Sequence, residues 1–382
     1  MRDAARIEVR TVSTATSGLV KWWKERGYSS NPFAWSNAAD VNEEIFPKRF
    51  QLWHIDPNAG VDLKGLGPTP TLDGVMSLET NRLVLIYAPA GSGKTFYRRW
   101  AARLIEEHWD SQYALEISNV TNQIPNPDSV TTRDLALCVY KRVCERFCTQ
   151  ETHPPAQSAE YIFEQCDEVI RRSLSDSQAP KRVYVFVDDI DQLFDERPSR
   201  AKQNAQAIEA IVDFCRVAAR RGERKLLALR MFIPAQLRKP IQKRLGKWRR
   251  RIHEYTISWS ADYCEAIVER RLDSSWKDGP GTGIIHVSRL FTPDALYEFR
   301  KWLQRQKGIS PRFVIDVLDQ LGHYAYSRGV TTDLINVELW REFVKSSEPK
   351  VLRAMDAVYP LSRSLLRLPR WFWPLLLLTL PC

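Results

Sequence analysis

Leu83-Val84-Leu85-Ile86-Tyr87 runs directly into Ala88-Pro89-Ala90-Gly91-Ser92-Gly93-Lys94-Thr95. Five apolar residues in succession predict a strand buried on both faces, and the Gly-Ser-Gly that follows predicts a tight turn opening into a helix at Lys94. The backbone N–H groups of such a turn converge ahead of the helix N-terminus, which suits a phosphate. The stretch matches the phosphate-loop pattern G-x-x-x-x-G-K-[ST], with Ala88 standing where the first glycine is usual. A glycine turn with no ligand is the bland alternative. The expected nucleotide contacts are Ala88, Pro89, Ala90, Gly91, Ser92, Gly93, Lys94, Thr95 and Phe96, with Lys94 on the phosphates and the Thr95 hydroxyl on Mg2+.

A magnesium ion bridging phosphates needs a carboxylate opposite that hydroxyl. Val183-Tyr184-Val185-Phe186-Val187 delivers Asp188-Asp189-Ile190-Asp191 to a strand end, so Asp188 is the expected second metal ligand. Asp189 occupies the position at which a water-polarising glutamate is common. It is one methylene shorter, which predicts slow turnover, and Asp191 is the second candidate. Three aspartates after a strand also suit a solvated turn or a helix cap.

Outward from these two motifs, Tyr113 to Ser118, Lys225 to Ile233 and His253 to Ser258 are further predicted strands. Lys94 to His108, Thr132 to Arg146, Ala159 to Leu174 and Ala205 to Ala219 are predicted helices. Apolar strands separated by helices predict an α/β fold, a three-layer α/β/α parallel sheet of the P-loop NTPase kind. Helices at Ser260 to Leu272, Pro293 to Arg305, Ser310 to Tyr326 and Leu334 to Phe343 predict a smaller helical lid. The expected divisions are a lead-in at 1–75, the core at 76–259, the lid at 260–346 and a basic-apolar tail at 347–382.

Composition sets the class: 44% hydrophobic and 27% charged over 382 residues is that of a soluble globular protein. No apolar run at the start suits a signal peptide. The apolar tail Trp371 to Cys382 is too short to span a bilayer, so a cytoplasmic protein is expected. That tail suits either docking on the body or a membrane or partner anchor. Seven cysteines without a C-x-x-C pair predict reduced thiols. The net charge of +10 is concentrated, because Arg216 to Arg251 holds fourteen Lys or Arg against one acid, Glu223, a local +13 that leaves the rest at −3. Such a patch predicts contact with DNA or an acidic protein, although most charge runs are solvated faces.

The set resembles the P-loop ATPases of the AAA+ and STAND superfamily, over roughly Asn31 to Tyr326. The resemblance implies an ATP-driven switch with ATP and Mg2+ as cofactors, with a DNA-associated ATPase using the 216–251 patch and a weakly hydrolysing nucleotide-binding scaffold as the alternatives, and it leaves room for a homo-oligomer. Asn31-Pro32-Phe33 is similar to a lead-in that lies near adenine in such proteins. Leu226-Leu227-Ala228-Leu229-Arg230 is similar to a strand ending in a phosphate-sensing arginine, although the usual threonine is missing. Gly308-Ile309-Ser310-Pro311-Arg312 is similar to a lid element whose proline nears adenine and whose arginine reaches the phosphates, with one extra residue before Pro311. Physics adds to that last likeness: Ser310 is a good N-cap, Pro311 suits the first helical position, and Arg312 in a first turn calls for an anion nearby.

Overall fold

The computed structural model describes residues 19–33, 83–89, 91–108, 112–148, 158–173, 182–194, 197–221, 226–276, 287–306, 309–330 and 334–346. Ala90, Gly308 and the tail 371–382 lie outside the described residues, as does the side chain of Phe96. The chain divides into two compact units, a sheet unit that includes residues 94–257 and a helical unit that includes 19–33, 91–93 and 258–346.

In the sheet unit, strands β1 (Val84–Ala88), β2 (Gln112–Ile117), β3 (Arg182–Val187), β4 (Leu227–Pro234) and β5 (His253–Thr256) form one parallel sheet in the order β2-β3-β4-β1-β5. Parallel neighbours require crossovers. These are supplied by α1 (Lys94–His108), α2 (Thr132–Phe147), α3 (Ala159–Ser173), α4 (Ala201–Arg220) and α5 (Arg238–Leu245). The unbroken apolar runs follow from burial on both faces. Leu85, Tyr87, Val185 and Met231 share one core with Val139, Phe163 and Ile211, while Val84, Ile86, Phe186 and Phe232 are as deeply buried on the opposite face. This is the α/β parallel architecture predicted from the sequence.

Local chemistry fixes the element ends. The Thr131 hydroxyl accepts from the N–H of Asp134, whose carboxylate accepts from the N–H of Thr131, a capping box that starts α2. α4 begins at Ala201, four residues before the predicted start, because its first turn, Ala201 to Asn204, carries no large apolar residue that periodicity could register. α5 was hidden within the charge run. Ile241 and Leu245, four residues apart and buried, are all the apolar signal it has.

The helical unit contains α6 (Ala261–Ser274), α7 (Pro293–Arg305), α8 (Pro311–Ser327) and helical turns at 19–25 and 337–346. Trp22, Trp23, Tyr28 and Phe33 are fully buried in its core. The Trp22 indole N–H donates to the carbonyl of Val330, and the amide of Asn31 donates to Asp319 at 2.7 Å. Gly322 lacks the Cβ that would meet the Trp23 ring at 3.0 Å. Residues 19–33 are therefore part of this unit's core. Phe33 packs 5.5 Å from Trp23, edge to face, and the Pro32 carbonyl accepts from Arg271 at 3.4 Å.

Candidate functional site: a phosphate loop and its carboxylates

The loop after β1 has the backbone its glycines predict. Gly91 and Gly93 sit at φ 72° and 84°, a region that side chains with a Cβ rarely enter. At Gly91 the constraint is double, because an added Cβ would lie 2.7 Å from the Cβ of Arg312. The Gly91 carbonyl accepts from the N–H of Arg312 at 3.4 Å, and the Ser92 carbonyl accepts from the indole of Trp259 at 3.1 Å. Ser310 caps α8 by accepting from the N–H of Phe313, and Pro311 holds the first helical position, as predicted. The loop-tip carbonyls are thus tied down within the helical unit.

In the sheet unit, α1 and the end of β3 bring the predicted groups together. The Thr95 hydroxyl donates to Asp188 Oδ2 at 3.2 Å, and Lys94 Nζ lies 3.5 Å from Asp191 Oδ2. Asp188 is fully buried, and its Oδ1 accepts from the N–H of Asp189 at 2.9 Å. Burial pushes its carboxyl up, against the opposing pull of Arg98 and Lys94. Asp189 points elsewhere. It takes a left-handed backbone, φ 59°, and its Oδ2 accepts from the N–H of Asn119 at 3.1 Å. Asn119 is left-handed too, at φ 52°, and its side-chain oxygen accepts from Gln192 at 3.4 Å. These are the described non-glycine residues with positive φ, and conformations of this kind cluster at functional sites.

Three residues here escaped sequence reasoning. Arg98 lies one helical turn beyond Lys94, with Nη1 3.5 Å from Asp188 Oδ2 and Nε 2.8 Å from Glu116 Oε2 on β2. Its side chain is only 6% exposed. The available signal was the spacing, since a residue four after Lys94 shares its helix face. Glu116 and Asn119 carried no signal beyond their position at the end of a strand.

The donor set fits the groups the motifs imply. Thr95 and Asp188 offer adjacent hard oxygens, and Mg2+ takes one or two protein carboxylates while keeping waters and phosphates for its other positions. The Ser92 hydroxyl is buried with no hydrogen-bond partner among the described residues, a donor that a phosphate oxygen would satisfy.

No family model matches the chain, and no curated protein matches it. Among solved structures it is similar to a chain in the E. coli MS115-1 HORMA:CdnC:Trip13 complex, at 13% identity and a TM-score of 0.38, covering 80% of this chain and 87% of that one. It is also similar to a chain in the structure of Drosophila ORC bound to AT-rich DNA and Cdc6, at 9% identity and a TM-score of 0.36, covering 88% of this chain and 47% of that one. Scores of this size carry no inference about activity.

Arg230 does not join the site. It sits mid-strand in β4 opposite Val84 and Phe186, four residues before Pro234, which is level with the loop's first residue, Ala88. At the rise of a parallel strand that separation is about 13 Å. The side chain is fully buried on the face that carries Phe232, with its guanidinium 5.3 Å from the Tyr184 ring and Nη1 donating to the Leu229 carbonyl at 3.0 Å. The expected sensor is an interior cation.

The basic patch narrows in the same way. Arg216 pairs with Asp213, Arg220 with Glu160, Arg221 with Asp167, Arg244 with Glu209 and Arg249 with Glu254. Arg238, Lys239, Lys243, Lys247, Arg250 and Arg251 are exposed and make no ion pair among the described residues. Among the described residues of the patch, the exposed cations without an ion pair thus fall on α5 and the turn of 3-10 helix after it, Gly246–Arg251. Among the described residues no helix is long and apolar enough to cross a membrane.

Proposed function

We propose that the chain is an ATP-binding switch protein that hydrolyses ATP slowly. One observation carries the reading: Lys94, Thr95, Asp188 and Asp191 converge where the phosphate loop leaves a parallel sheet. Lys94 exchanges Asp191 for the phosphates, a trade of one anion for another with more charge. Thr95 and Asp188 hold Mg2+, which when bound neutralises phosphate charge. Asp189 positions the attacking water only after its carboxylate leaves the Asn119 N–H, and that tether supports slow turnover. Arg312, whose backbone N–H engages the loop tip within the helical unit, is the candidate reporter of nucleotide state. Calorimetric titration of the full chain with Mg-ATP tests the reading. Binding that Lys94→Ala reduces at least about 100-fold supports it, by the loss of a charge-assisted phosphate contact. Equal binding by both proteins overturns it.

A second reading, a DNA-associated ATPase, is favoured by the exposed cations of α5 and the following turn. Six phosphate contacts would give a slope of log K against log salt of about −5. DNA binding with a flat salt response removes this reading and leaves the first intact.

A further inference from the structure

A cation already stands beside the metal aspartate. The Arg98 guanidinium is buried and lies within ion-pair distance of two neighbouring strand ends, Nε 2.8 Å from Glu116 Oε2 and Nη1 3.5 Å from Asp188 Oδ2, the oxygen that also accepts from Thr95, with neither nitrogen aligned for a hydrogen bond. The forked group reaches two carboxylates at once, which the point charge of a lysine does not. Because Arg98 sits on the same helix as Thr95, its position is fixed by the element that presents the metal's hydroxyl ligand.

From this arrangement we infer that Arg98 is a positioning residue that serves as a resident counter-cation for Asp188 and sets how tightly the site takes a divalent metal. The inference rests on the reading of Asp188 as the metal aspartate. Two consequences follow from one charge. The carboxylate is held toward Thr95 before any metal arrives, and an arriving divalent cation meets fixed positive charge a few ångströms away, which lowers its affinity. Glu116 tunes this by neutralising Arg98 from the far side.

The test is Mn2+ titration of the nucleotide-free full chain, followed by the paramagnetic signal of free Mn2+, with folding checked by circular dichroism. Arg98→Met keeps the volume and removes the charge, and it should tighten Mn2+ binding about tenfold or more. Adding Asp188→Asn to that variant should erase the gain. Glu116→Gln, which strips Arg98 of its neutralising partner, should weaken Mn2+ binding below wild type. These opposite signs are not what a merely structural residue gives. A folded Arg98→Met with unchanged or weaker Mn2+ affinity overturns the inference, as does a Glu116→Gln that binds as tightly as wild type or tighter. Should Arg98→Met not fold, the Glu116→Gln result decides alone. Because no nucleotide is present, absent Mg-ATP binding would defeat the proposed function separately.

Discussion

The carboxyl edge of the sheet and its interior each bury an arginine, and the two are held in opposite ways. Arg98 at the edge has two carboxylates within ion-pair distance, whereas Arg230 in β4 has the face of Tyr184 and a neighbouring carbonyl. Burial pushes the Arg230 guanidinium down to about 9, the loss of solvation being the largest influence on it. Buried charge at the edge organises other groups; in the interior it is a load on the fold.

The largest expected effect is at the edge. Arg98→Met removes the buried cation beside Asp188 and should lower unfolding free energy by about 3–5 kcal/mol in urea titration. Arg230→Met, by contrast, removes a buried charge in favour of an apolar group of similar volume, and it should be neutral or stabilising by up to about 4 kcal/mol. Equal and same-signed effects would break the comparison. The pH dependence sharpens it. Burial holds the Arg230 pKa at about 9, well below that of an unfolded arginine, so above pH 9 the unfolded chain holds the extra proton and stability rises with pH. The stability gap between Arg230→Met and wild type should therefore be full below pH 9 and shrink above it, as read by denaturation at pH 8 and pH 10. The smallest effect belongs to a surface pair. Arg300 pairs with Glu265 in the helical unit at 2.5 Å but is 51% exposed. Arg300→Ala should cost about 0.5 kcal/mol, because solvent screens the pair.

The same contrast marks what the sequence could show. Features written in consecutive residues were legible: the β1 run, the loop, the Val183 to Val187 strand ending at Asp188, and the Ser310-Pro311 start of α8. The α/β class followed from their alternation. Features that depend on which residues meet across strands were not. Arg230 looked like a sensor because Leu226 to Arg230 is similar to a family strand that ends in one, yet β4 runs on to Pro234 and leaves it inside. The patch looked uniform because its acidic partners, Glu160, Asp167 and Glu209 among them, lie outside the charge run. The tether of Asp189 to Asn119 joins residues 70 apart and needed the β2–β3 pairing to be seen.

The burial of residues 19–33 in the helical core sets a schedule for the nascent chain. Trp22 reaches its partner carbonyl on Val330 only after 308 further residues have been added. At translation rates of roughly 5–20 residues per second that interval is about 15–60 s. During it the whole sheet unit emerges, while two tryptophans and Phe33 wait without the helices that will cover them. Core residues made this early are thus buried only after residues made some three hundred positions later have emerged.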